Sequence, residues 1–174
     1  MENLPDDLSV ERHVLLGGRA RHTWYRRVTF AAICVIPVLA LLNVFGQHPS
    51  SSDARADAAT LTVQSPERLR GGLMFQVRVD VVAHRDIAEP QLTFSPDWWE
   101  EMTENSINPE PLEQSTSNGR VTLSYGRLNA GQKLTVWLQY QVNPINVAHR
   151  TENVLLSDGD TPIAQLNRDA TILP

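Results

Sequence analysis

The 174 residues include one cysteine, Cys34, and one lysine, Lys133, against fourteen arginines. Cys34 sits inside an apolar run, so the rest of the chain has no disulfide to draw on. It must be stable from its own core, which about 115 residues can supply. The arginine skew is more economically a codon effect of a GC-rich genome than a binding adaptation, and it points toward bacteria. Catalytic signatures are missing too. There is no G-x-S-x-G elbow, phosphate-cradling glycine loop or H-E-x-x-H pair. His13, His22, His48, His84 and His149 are isolated, without the close spacing of zinc ligands. Acids cluster at Glu100, Glu101 and Glu104, and again at Asp158 and Asp160, but neither group has the regular spacing of a calcium loop. Asp158-Gly159-Asp160 suits a tight turn equally well. No metal, cofactor or catalytic residue is assigned, and an enzyme is not expected.

Clustered positive charge is also lacking where it would matter. Residues 46–174 carry ten Lys or Arg against sixteen Asp or Glu, a balance of −6. Nucleic acid and anionic surfaces require basic patches, so an acidic domain argues against both as ligands.

What the chain does have is a run of twenty uncharged residues, Val28 to Gln47. As a helix it would extend about 30 Å, the thickness of a bilayer's hydrocarbon core. Arg12, Arg19, Arg21, Arg26 and Arg27 precede it, and the first charge beyond it is Asp53. Positive charge beside a spanning helix stays in the cytoplasm, which predicts the N-terminus inside and the C-terminal part outside. Trp24, Tyr25, Arg26 and Arg27 flank the anchor, the two rings at headgroup level. Pro37 is tolerated in a spanning helix. A cleaved signal peptide fits less well. Its leader would be twenty-seven residues long, and the small-residue site Ala54-Arg55-Ala56 lies nine residues past Phe45. A twin-arginine signal is interrupted by Thr29, and a lipoprotein anchor on Cys34 would follow Ile33 rather than a small residue.

The expected organisation is a mostly disordered cytoplasmic tail over residues 1–27, a transmembrane helix over 28–47, a stalk over 48–58 and an extracytoplasmic domain over 59–174. The stalk is small and polar, with no apolar period. From Thr60 onward the period becomes two. Phe75, Val77, Val79 and Val81 alternate with polar residues, as do Leu134, Val136, Leu138, Tyr140 and Val142, with Trp137 breaking the second polar face. Val121, Leu123 and Tyr125 follow the turn signal Asn118-Gly119, and Asp158-Gly159 turns into a last strand toward Ile172. Shorter strands are expected at Leu61–Val63, Gln91–Phe94, Ser106–Ile107 and Asn153–Leu156. Ser95-Pro96-Asp97-Trp98-Trp99-Glu100-Glu101 reads as one helical turn, with serine as cap and proline at the first helical position. Seven to nine short strands without helical periodicity predict an all-β antiparallel sandwich.

The stretch Tyr125-Gly126-Arg127-Leu128-Asn129-Ala130-Gly131-Gln132, followed by alternation to Val142, resembles the closing hairpin of immunoglobulin-like repeats on bacterial surface proteins. Gly126, Leu128 and Gly131 match its Gly-x-Leu-x-x-Gly turn into a long final strand. Fibronectin type III domains have a similar corner, with proline where Ala130 stands. The resemblance implies an immunoglobulin-like β-sandwich serving as a structural or binding module, with no catalytic residues to carry over.

Trp98, Trp99 and Trp137 are the candidate partner-binding residues, because exposed tryptophan is a common contact for protein, glycan or lipid headgroup, with at least one of the adjacent Trp98 and Trp99 expected to plug the core end. The expected role is to present an interaction surface to another membrane or envelope protein. Two alternatives stay open: an envelope glycan- or small-ligand-binding domain or enzyme, which a deep pocket lined by Trp98, Glu100 and Glu101 would favour, and a signal transducer acting through the cytoplasmic tail.

Overall fold

The computed structural model describes residues 19–42, 44 and 47–174, with side chains from residue 23 onward. The disorder expected of the tail falls, for residues 1–18, outside the described residues. The chain divides into two compact units, Met1–Gly46 and Gln47–Pro174.

The described part of the first unit is a helix, α1, Arg19–Leu41, with Pro37 inside it. Its segment Thr23–Leu41 is long and apolar enough to cross a membrane, a property that signal sequences share. At 1.5 Å per residue the whole helix extends about 34 Å. It starts nine residues before the span expected at 28–47 and stops six residues short of that span's end. The expectation followed the absence of charge. A helix has no such constraint, and Ala20, Arg21, Arg26 and Arg27 all have good helix propensity.

In the second unit, the alternating apolar residues form two sheets around one core. The first sheet contains β1 (Pro49–Arg55), β2 (Ala59–Pro66), β4 (Met74–Ala83), β9 (Lys133–Val142) and β6 (Met102–Asn108), in that spatial order. The second runs β3 (Arg68–Arg70), β11 (Thr161–Leu173), β10 (Ala148–Asp158), β5 (Pro90–Phe94), β8 (Arg120–Ser124) and β7 (Glu113–Ser117). Every pairing is antiparallel except that of β3 with β11. The inward residues of β4 and β9, including Val77, Val79, Val136 and Leu138, face Leu92, Phe94, Leu123, Val154 and Leu156 of the other sheet in one buried cluster. This is the all-β sandwich the period of two implies.

Residues 49–55, expected as stalk, are instead a strand paired along its whole length with β2, from Pro49 opposite Pro66 to Arg55 opposite Thr60. An edge strand needs no apolar face when its partner's backbone supplies the hydrogen bonds. The Gly-x-Leu-x-x-Gly segment does lead into a long central strand. Leu128 bridges to Ile87, and Gly131, at φ +84, donates its N–H to Ala83. That strand is not the last, however, because β10 and β11 follow it in the opposite sheet. Asn118 and Gly119 both have positive φ, 52° and 75°, the conformation a two-residue hairpin between β7 and β8 requires.

Candidate interaction surface and the buried charges behind it

The outward register of β4 and β9 places Gln76, Arg78 and Asp80 opposite Gln139, Trp137 and Thr135. Trp137 is half-buried, and the Arg78 guanidinium lies 5.0 Å from its ring centroid. A cation over an indole face is attracted by the ring quadrupole. Asp80 holds that guanidinium, with contacts of 3.2 Å to Nε and 3.1 Å to Nη2. Asp80 also accepts the Thr135 hydroxyl at 2.7 Å and pairs with Lys133 at 3.2 Å. Burial alone would raise the Asp80 pKa, but Thr135, Lys133 and Arg78 outweigh it and hold the carboxyl below its ordinary value. Beside Trp137 lies a depression of about 260 Å³, lined also by Pro49, Gln64, Pro66, Gln76 and Arg78. Its wall is part apolar and part amide, and it crosses β1, β2, β4 and β9.

The other two tryptophans are placed differently. Trp98, in the 3-10 turn Pro96–Trp98, is fully buried, so it is not the surface contact expected of it. Its indole N–H donates to the Asn153 carbonyl at 3.1 Å, and its ring packs edge-on to Phe94 and stacks on Tyr140. Burial satisfied by one backbone acceptor is the usual fate of a core tryptophan. Trp99 is half-buried and packs edge-on to Tyr140 and Phe94, so its ring belongs mainly to the core end. Only Trp137 of the three faces outward from a strand. Trp98 is buried in the core while Glu100 and Glu101 are exposed, so the three side chains do not share one surface. Glu101 instead lines an open, mostly polar depression with Thr103, Gln141 and Asn143. Glu100 lies 3.8 Å from Arg150.

Trp24, Tyr25, Arg26 and Arg27 lie within α1 rather than ahead of it, and all four are exposed. The Trp24 and Tyr25 rings meet edge to face with centroids 5.5 Å apart. Among the described residues, no group of three or more His, Cys, Asp or Glu is arranged to hold a metal ion.

A cluster that the alternation pattern did not reveal lies behind Trp98. Arg150 and Glu152 of β10 and Arg168 of β11 occupy inward positions, and all three are buried. Arg168 Nη2 donates to the Ser65 carbonyl of β2 at 2.8 Å and to Ser50 Oγ of β1 at 3.3 Å, so one guanidinium ties the two sheets together. Arg168 Nε lies 3.5 Å from Glu152 Oε2, an ion pair by distance that lacks hydrogen-bond geometry. Neither Glu152 oxygen accepts a hydrogen bond from the protein. Burial pushes the Glu152 pKa up to about 7, against the opposing pull of Arg168 and Arg150. The Tyr140 hydroxyl, also buried, is held protonated well above its ordinary range by the same desolvation. The signal that would have found this cluster is opposite charge on the inward register of neighbouring strands.

No family model matches the chain, and no curated protein does. Among solved structures, a non-cellulosomal cohesin from the archaeon Archaeoglobus fulgidus is 11% identical, with a TM-score of 0.40 over 63% of this chain and 88% of that one. A β-glucosidase from Listeria innocua, solved in complex with gluconolactone, is 12% identical, with a TM-score of 0.31 over 74% of this chain and 16% of that one. At those overlaps the two-sheet architecture rests on the chain's own strand pairing.

Proposed function

We propose that the chain is a single-pass membrane protein of the bacterial envelope. Its tail lies in the cytoplasm, and its immunoglobulin-like β-sandwich presents a non-enzymatic interaction surface to another membrane or envelope protein. The observation that carries this reading is Trp137 under Arg78 at the centre of the five-stranded sheet, a large aromatic held on rigid strands beside a shallow depression. A surface of this kind suits a protein contact, since aromatic and arginine side chains are the residues enriched at interface centres. The apolar segment Thr23–Leu41 and the arginines before it support the anchor and its direction. Confinement to the membrane plane would raise the local concentration of the surface for a neighbouring partner.

A photo-crosslinker at Gln76, beside Trp137, is expected to trap a discrete envelope protein in intact membranes. Trp137→Ala should cut that yield several-fold. A yield indifferent to Trp137→Ala removes this surface as the binding site, and release of the chain from membranes by alkaline carbonate removes the anchor.

A further inference from the structure

One end of the sandwich is apolar and uncovered. Leu73 precedes β4 and Met74 opens it, Ile145 and Val147 stand in the connection between β9 and β10, and Leu173 closes β11. Their exposure ranges from 40% for Leu173 to 82% for Ile145. They form one tip rather than scattered residues. Val142 donates its N–H to the Leu73 carbonyl, and Gly71 donates to the Leu173 carbonyl. Pro144 packs on Gly71 and Gly72, and Ala148 pairs with Ile172. Soluble surfaces normally scatter exposed aliphatics singly, and a contiguous group marks a contact.

The chain also enters the domain at this end. Pro49 lies opposite Pro66 on β2, and β2 runs antiparallel to β4 with Gln64 opposite Arg78. The first residue of β1 is therefore level with the start of β4, within a few residues of the tip. Seven residues separate Leu41, the last of α1, from Pro49. Fully extended, they reach about 25 Å.

We propose that this tip docks on the bilayer surface, its aliphatic side chains entering the boundary between headgroups and acyl chains. The inference rests on the anchor reading above, because a short tether entering at the apolar end keeps that end close to the lipid. Charge is not the driving term. Arg68 and Arg70 are exposed at this end, but so are Glu67 and Glu101, so attraction to anionic lipid has no net basis here. Insertion of a few aliphatic side chains depends instead on the apolar area removed from water. The domain would stand end-on, with the outward face of β4 and β9 turned sideways toward neighbours in the membrane plane.

The test uses the full chain with Cys34→Ser, reconstituted in phosphatidylcholine vesicles. An environment-sensitive dye is attached in turn at Ile145→Cys, at Val147→Cys as a second tip site, at Ala130→Cys at the opposite end of the domain, and at Val35→Cys in the helix. Lipid carrying a shallow nitroxide should quench the tip probes several-fold more than the probe at 130. If the tip probes are quenched no more than that control while the probe at 35 is quenched, the anchor stands and the docking is overturned. Loss of quenching at 35 as well overturns both. Quenching at the tip only when phosphatidylglycerol is added would mean electrostatic adsorption and overturn aliphatic insertion. Tip probes shielded from aqueous iodide but not reached by the nitroxide lipid would identify a protein occupant, and that too overturns the proposal.

Discussion

Glu152 of β10 lies directly across from Arg168 of β11, both inside the sandwich, and the carboxylate is fully buried without a single hydrogen bond. Burial and the arginine pull in opposite directions, and burial wins: the acid titrates near 7 rather than at its ordinary 4.5. A raised acid pKa means that the folded protein holds a proton the unfolded chain has released. Between pH 4.5 and about 7, stability contributed by Glu152 therefore falls as pH rises. The full gap corresponds to roughly 3 kcal/mol. Glu152→Gln should remove this slope. The measurement is the difference in unfolding midpoint between wild type and Glu152→Gln from pH 5 to pH 8. A difference that does not change with pH would show that Glu152 ionises normally. Asp80 titrates the opposite way, since its depressed pKa gives stability that is lost only as pH falls below the ordinary carboxylate range, so it does not mask the effect.

Arg168 makes the second prediction. It supplies the inter-sheet contacts to Ser65 and Ser50 and the only charge within 4 Å of Glu152 among the described residues. Arg168→Met strands a buried acid and removes the tie, so it should cost about 3–5 kcal/mol. The double variant Glu152→Leu with Arg168→Met should recover most of that loss, because an apolar pair carries no desolvation penalty. Denaturant unfolding of the detergent-solubilised chain, followed by tryptophan emission, measures both. Equal costs for the single and double variants would mean that the tie to Ser65, not the charge, matters.

The tryptophans separate core from surface. Trp98→Ala empties the space between Phe94 and Tyr140 and should cost about 3–5 kcal/mol. Trp137→Ala leaves only the outward face altered and should cost about 1 kcal/mol or less. Comparable losses at the two positions would contradict the burial difference between them.

The same contrast explains what was legible in the chain. β4 and β9 were legible because each carries an unbroken inward apolar series, Phe75 to Val81 and Leu134 to Val142, alternating with residues that are polar except for Trp137. β1 was not, because Pro-Ser-Ser-Ser-Asp-Ala-Arg has no apolar face and is a strand only through β2. β7 is exposed at every residue, and β3 is three residues long. The first part of β10, before Asn153, was lost for another reason. Arg150 and Glu152 stand where a period of two demands apolar residues, so the pattern breaks although the register does not, whereas β11 was legible towards Ile172 in spite of Arg168. For the candidate site, the outward placement of Trp137 followed from its strand. That one of Trp98 and Trp99 enters the core end followed from their adjacency, but which one is fully buried could not, since it depends on where a short turn meets Asn153 far along the sequence.

Two glycines distinguish steric from conformational cost at the ends of the sandwich. A Cβ at Gly71 would stand 2.7 Å from the Pro144 carbonyl oxygen, too close for backbone to tolerate without moving. Its φ is not in the left-handed region, so the penalty of Gly71→Ala is purely one of space, and the 143–147 segment must shift to relieve it. Overpacking of this sort costs about 1–3 kcal/mol. At Gly131 the situation is reversed. Nothing lies within 4 Å of a Cβ there, but φ is +84, and Gly131→Ala should cost about 1 kcal/mol from backbone strain alone. Hydrogen exchange separates the two. Gly71→Ala should speed exchange at Asn146, whose N–H is bonded to the Asn143 carbonyl, while Gly131→Ala leaves that amide untouched and loosens Gly131 against Ala83. If Gly71→Ala left Asn146 protected, Pro144 would not be held against the β3–β4 turn, and the apolar tip would not be the single rigid surface that docking on a bilayer requires.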